Sequence, residues 1–239
     1  MENNEDKDKS LIEHLEELRT SLIKCFLSVA FVLPFAFFVS PKILDFLIGS
    51  FFGNRELYYF APMEVFLIQL KLAFLLSLIV CFPYIALQLW NYVVPALYDN
   101  EKKFIKITVL SSSFLFITGV SFCMFVILPL IMNFALNFAK ENVIAMFGVA
   151  NVVNLALNLA FVFGLMFQIP LVTNLLIKWG ILSYETVSSK RRYVIVLLLI
   201  FAALLTPPDI ISQLLLFLPT YALFELGLIV SPKKGNSEE

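Results

Sequence analysis

The chain has 239 residues, of which 60% are hydrophobic and only 15% charged, with a mean hydropathy of +0.90. A soluble domain is about half apolar and about a quarter charged, so this composition excludes a water-soluble globule and reads as an integral membrane protein. With 17 basic against 18 acidic residues the net charge is −1, which leaves no electrostatic footprint for nucleic acid.

Residues 1–9 form a polar, acidic tail, unlike the basic start of a cleaved signal peptide, so the mature chain is expected to begin at Met1. Ser10 and Glu13 have capping-box spacing and predict a helix that starts at Ser10. Along it Leu11, Leu15, Leu18 and Leu22 recur as an apolar stripe, with Glu13, Glu16 and Glu17 turned away from it. Helices that rest on anionic lipid carry lysine and arginine; this one carries carboxylates. Two uses are open for them. One is an ordinary solvated face, with Glu16 and Arg19 paired across a turn; the other is a docking surface for a cationic ligand, since carboxylates pair well with guanidinium forks.

A helix needs roughly 20 apolar residues to cross the hydrocarbon core. The runs that supply them predict an all-α protein with six transmembrane helices, at 20–38, 65–92, 106–130, 150–177, 193–205 and 210–230. They make one transmembrane domain over residues 10–230, followed by a polar tail at 231–239. The first span is expected to end near Ser40 and Pro41, and residues 41–64 to form a separate interfacial helix and cap. The fifth and sixth spans are short; the fifth, stopped by Pro207 and Pro208, makes a helix of only roughly 20 Å against a core of about 30 Å. Pro34, Pro83, Pro129 and Pro219 are expected to kink or end their helices.

The loops give the bundle a direction. Lys102, Lys103, Lys106, Lys178, Lys190, Arg191, Arg192, Lys233 and Lys234 fall on the same side as Lys7, Lys9, Arg19 and Lys24; only Lys42, Arg55, Lys71 and Lys140 fall on the other. The positive-inside rule then puts both termini in the cytoplasm. The first cytoplasmic loop, around Pro95, Tyr98, Asp99 and Glu101, brings further acid to the face that holds Glu17, although Lys102 and Lys103 dilute it.

Polar residues in or beside the hydrocarbon are the costly ones. Glu64 and Asp209 lie near the outer interface, where a carboxylate either caps a helix N-terminus or serves a functional site. Gln168 lies mid-span beside Phe167 and Pro170 and suits a hydrogen bond to a neighbouring helix; Glu225 lies near the inner end of the last span. Lys71, just inside the second span, suits a snorkel to the outer interface. Cys25, Cys81 and Cys123 are far apart without metal-ligand spacing, and His14 is the single histidine, so no metal site is indicated. No phosphate-cradling loop motif occurs, and no cofactor is implied.

Four segments resemble the signatures of one family, in its order and with its six-span plan. They are His14-Leu15-Glu16-Glu17-Leu18-Arg19 before the first span, Phe60-Ala61-Pro62-x-Glu64-x-Phe66 outside, Pro95-Ala96-Leu97-Tyr98-x-x-Glu101 in the first inner loop, and Thr206-Pro207-Pro208-Asp209 in the last outer turn. The family is TatC, the polytopic subunit of the twin-arginine protein translocase, and the resemblance runs from about Ser10 to Val230. It implies a receptor in the inner membrane of a bacterium rather than an enzyme. Such a receptor binds the twin-arginine signal peptides of folded cargo, works with single-span partners of the TatA and TatB type in a larger oligomeric complex, and draws on the proton-motive force. By motif position the resemblance implies Glu17 and Glu101 as arginine partners, Arg19 as organiser of the N-terminal motif, and Pro95, Leu97 and Tyr98 as the adjoining surface. Pro62, Glu64, Pro207 and Asp209 would hold the outer cap, and Gln168 and Glu225 would meet partner helices. Gln168 departs from the glutamate common in the family, and an amide carries neither charge nor proton.

Two other classes compete. A proton-coupled small-molecule permease would use Glu64, Asp209 and Glu225, but it wants an acidic site at the midplane, where Gln168 stands. A ligand-free scaffold would use its acids only as caps and solvated faces.

Overall fold

The computed structural model describes residues 2–52, 57–93, 102–137, 148–205 and 210–231. Its helices are α1 (Glu2–Phe52), α2 (Glu64–Val93), α3 (Lys102–Phe122), α4 (Leu128–Asn137), α5 (Val149–Met166), α6 (Ile169–Lys178), α7 (Tyr184–Ser189), α8 (Arg191–Leu205) and α9 (Ile210–Val230). A π-helical turn, Cys123–Ile127, joins α3 to α4. The protein is an all-α membrane protein: among the described residues five stretches, Leu15–Ser50, Glu64–Tyr92, Ile105–Phe134, Val149–Lys178 and Gln213–Val230, are long and apolar enough to cross a bilayer. Between the fourth and fifth of these, the 15-residue α8 is about 22 Å long, short of the core.

Two expectations about the first helix are overturned. It begins at Glu2 rather than Ser10, and it continues through Pro34 and Pro41 to Phe52 instead of giving way to a separate interfacial helix. At Pro41 the absent N–H leaves the carbonyl of Phe37 without its partner four residues on. The hydroxyl of Ser40, fully buried, donates to that carbonyl at 2.9 Å. The proline is thus accommodated without ending the helix, and α1 reaches about 75 Å, more than twice the hydrocarbon thickness.

Pro129 is handled differently. The N–H of Leu128 bonds the carbonyl of Cys123, five residues back, so the hydrogen-bond ladder widens by one residue immediately before the residue that cannot donate. The predicted run 150–177 is divided at Phe167 and Gln168, ahead of Pro170. There the N–H of Gln168 reaches back only three residues to Leu165, at 2.9 Å.

The helices α1 and α2 run antiparallel. The thiol of Cys81 meets the carbonyl of Ser28 at 3.3 Å, and the rings of Phe37 and Phe66 lie 5.9 Å apart edge to face. The main core gathers Leu44 and Leu47 of α1, Ile68, Leu72 and Leu75 of α2, and the inner face of α5. Outward-facing phenylalanines (Phe26, Phe31, Phe38, Phe114 and Phe125) are mostly exposed, as a lipid-facing surface requires.

Close packing of α3 on α5 depends on two glycines that fit beneath each other's phenylalanines. A Cβ at Gly119 would stand 2.6 Å from the carbonyl oxygen of Phe163, and one at Gly164 would stand 2.7 Å from the ring of Phe116. Phe116 and Phe163 are almost wholly buried. Small residues at such crossings let helix backbones approach in a bilayer, where lipid removes the hydrophobic drive between helices. Gly119→Ala is expected to lower the thermal unfolding midpoint in detergent, by an overpacking cost of about 1–3 kcal/mol. Gly49→Ala, at a position with nothing within 4 Å, is expected to leave that midpoint unchanged or raise it slightly.

Candidate functional site

At one end of the bundle Glu64 ties two helices together. Its Oε2 accepts the N–H groups of Phe60 at 2.7 Å and Ala61 at 3.1 Å, and its Oε1 accepts the N–H of Ala150 at 2.9 Å. The carboxylate therefore closes the approach to its own helix, α2, and caps the N-terminus of α5. Next to it the N–H of Val149 bonds the carbonyl of Tyr58 at 2.9 Å. Pro62 sits in the turn that leads into Glu64. Pro207 and Asp209 lie outside the described residues.

At the other end the α1–α2 register matters. Ser28 and Cys81 stand side by side, so eleven residues onward in opposite chain directions Glu17 and Tyr92 come level, each about 16 Å further along. Glu17 and Arg19 are both exposed on α1, and the leucine stripe beside them is exposed at Leu15 and Leu22. The described part of the acidic face and its apolar neighbour are thus both exposed at this end. The loop that follows α2, with Pro95, Leu97, Tyr98 and Glu101, lies outside the described residues. Its two anchors do not: the buried Trp90 meets Trp179 edge to face at 6.1 Å, and packs with Ala86, Val109 and Leu175. This cluster fixes the last turns of α2 and the first turns of α3 at the level of Glu17.

The polar groups between these two ends are largely occupied within the chain. Gln168 and Ser112 bond reciprocally: the hydroxyl donates to Oε1 at 2.6 Å, and Nε2 donates to the Ser112 carbonyl at 3.0 Å. The carboxylate of Glu225 is held by Arg191, with Nε 2.9 Å from Oε1 and Nη2 3.2 Å from Oε2, and accepts the Tyr221 hydroxyl at 2.8 Å. This fork joins the first residue of α8 to α9. Gln213 makes a second joint, donating to the Leu199 carbonyl at 3.1 Å, so the short α8 is pinned to α9 at two levels.

Residues 13–219 match the family described as Sec-independent protein translocase protein (TatC). The chain belongs to the TatC family. It is 35% identical over 250 residues to the TatC protein of Escherichia coli, covering 96% of this chain and 92% of that one. It is 33% identical over 249 residues to that of Haemophilus influenzae, covering 98% and 94%. The TatCd protein of Bacillus subtilis is 32% identical over 236 residues, at 98% and 97% coverage. A crystal structure titled Twin Arginine Translocase Receptor TatC superposes with a TM-score of 0.85 at 29% identity, over 92% of this chain and 99% of that one.

Seen on the TatC fold, the permease reading loses two of its three acids. Both oxygens of Glu64 serve backbone N–H groups and both oxygens of Glu225 serve Arg191 and Tyr221. Among the described residues neither carboxylate is left to shuttle a proton. Sequence reasoning found Gln168 and Glu225 but missed their partners. Tyr221 stands four residues before Glu225, a spacing that puts both on one helix face. Ser112 gave no comparable signal, being one of three consecutive serines in an apolar run. Glu64→Gln keeps the shape but cannot accept three N–H bonds on two oxygens, so at least one donor is orphaned. A lower unfolding midpoint in detergent is expected, with Glu64→Ala losing more than Glu64→Gln.

Proposed function

We propose that this TatC-family chain is the receptor component of the bacterial twin-arginine translocation system and reads the paired arginines of signal peptides on its cytoplasmic end. The observation that carries the reading is the α1–α2 register, which sets the exposed Glu17 level with the end of α2 from which the 94–101 segment departs. Two acidic positions from separate parts of the chain then stand at one end. Guanidinium groups pair with Glu17 and Glu101 through charge-assisted hydrogen bonds. Arg19 orders the N-terminal motif, and Pro95, Leu97 and Tyr98 shape the adjoining surface. The apolar stretch of the signal peptide follows the exposed leucine stripe of α1.

Both termini lie in the cytoplasm on this reading, by the loop charge asymmetry, and Glu64 belongs to an outer cap that Pro62, Pro207 and Asp209 complete. The six spans act as one domain. The protein performs no catalysis of its own. It gathers single-span partner subunits of the TatA and TatB type, and further copies of itself, around the spans that carry Gln168 and Glu225. The proton-motive force drives passage of folded cargo. Because Gln168 cannot ionise and both ends of its amide are bonded to Ser112, this residue supplies a fixed polar joint rather than a titrating group.

The test is site-specific photocrosslinking from positions 17 and 101 to a signal peptide bearing either two arginines or two lysines. Crosslinks that require the arginine pair are expected. Glu17→Ala combined with Glu101→Ala is expected to weaken peptide binding by at least about tenfold while membrane insertion stays normal. Equal crosslinking of the two peptides, or unchanged binding by the double variant, refutes the arginine-reading role.

A further inference from the structure

Lys71 lies two turns into α2, about 10 Å along the helix from Glu64, and its side chain is exposed on the outside of the bundle. Its ammonium donates to Oδ1 of Asn154 on α5 at 2.9 Å. Among the described residues it makes no ion pair. An ammonium carries three donors, so two remain for a ligand. A cation at this depth is costly unless it pairs or reaches an anion.

The same lysine stands at the margin of a groove of about 510 Å³ formed by α1, α2 and α5. That volume falls within the roughly 300–1,000 Å³ of small-molecule sites. Its walls are Leu33, Leu70, Phe74, Leu78 and Phe161, with Asn158 one turn along α5 from Asn154. Side chains that size do not make a seat for another transmembrane helix, whose approach calls for small residues. They do make a channel for a flexible hydrocarbon chain. A cation with unused donors at one end of an apolar groove matches one chemistry: a lipid with a negatively charged headgroup and an acyl tail.

We propose that this groove is a binding site for an anionic phospholipid of the leaflet on the Glu64 side. The headgroup phosphate is held by the Lys71 ammonium, which Asn154 orients, and one acyl chain lies between Leu33, Phe74, Leu78 and Phe161. The lipid would fill the gap between α1 and α5 that the polypeptide leaves open and would neutralise Lys71. This site is independent of the signal-peptide reading, since it lies on a different part of the bundle and involves none of the residues assigned there.

Native mass spectrometry of the full chain, released from detergent with phosphatidylglycerol or with phosphatidylcholine of the same acyl chains, tests it. Tighter retention of phosphatidylglycerol is expected. Lys71→Met is expected to weaken that retention roughly fivefold, the effect of about one basic side chain on an anionic headgroup, and to leave phosphatidylcholine unchanged. Lys71→Arg is expected to keep the preference. Equal retention of the two lipids by the unaltered chain, or full preference in Lys71→Met, overturns the proposal. A photoreactive residue at position 161, activated in membranes, supplies a check that does not depend on how the lysine variant folds. A lipid-mass adduct supports the site, whereas adducts to polypeptide alone, or no adduct, overturn it.

Discussion

Hydrocarbon offers a peptide group no hydrogen bond, so every carbonyl and N–H that a membrane helix leaves open must be met from within the protein. Each proline in these helices opens one such gap, and the gaps at Pro41, Pro129 and Pro170 are met in three ways. A neighbouring hydroxyl takes over the orphaned carbonyl at Phe37; the ladder widens to a π turn before Pro129; and the helix tightens and restarts before Pro170. The choice in each case follows from what stands beside the proline. Ser40 is buried and one residue away, whereas neither of the other two prolines is preceded by a hydroxyl residue. Glu64 answers the same demand at a helix end, supplying two oxygens to three N–H groups that no helix could satisfy internally.

Once the backbone is satisfied, side-chain polarity becomes the means of joining helices. Lipid tails are as apolar as leucine, so burial alone does not say which helices meet. The joints here are polar or steric: Ser112 with Gln168 between α3 and α6, Arg191 with Glu225 and Gln213 with Leu199 between α8 and α9, and the paired Gly–Phe contacts between α3 and α5. The short α8 shows why such joints matter. A helix of about 22 Å cannot hold its place by matching the bilayer, and it is held at both levels by α9. These groups are spent inside the chain, whereas Glu16 and Glu17 of α1 stand exposed.

The sequence conveyed the membrane class and the apolar runs because hydrocarbon imposes length and composition directly. It also conveyed Glu64 as a capping candidate, since a carboxylate at a helix start has few other uses. The continuity of α1 was not legible: Ser40-Pro41 reads as a stop unless the serine is known to be buried and turned back on Phe37. The break before Gln168 was masked by an unbroken apolar run, and Lys71 read as a snorkel because Asn154 lies 83 residues away. Each miss is a tertiary contact that overrides a local signal. The interlock of Gly164 with the ring of Phe116 belongs to the same class, as no single-helix pattern announces which ring a glycine must admit.

A pair of exposed charges in water contributes little, typically below about 1 kcal/mol, so one carboxylate on α1 could not by itself select an arginine pair. Selectivity on the proposed reading needs two carboxylates at a set separation, so that the second contact forms without further loss of translational freedom. The long packed interface of α1 with α2 supplies the rigid frame for one of them, Glu17. Ser28 against Cys81 fixes the register, and Trp90 against Trp179 fixes the end of α2 at the height of Glu17. Lysine, a point charge without the planar fork, would gain less at each carboxylate. On that reading, a rigid two-helix frame that presents two weak sites together is what would turn ordinary surface acids into a reader of paired guanidinium groups.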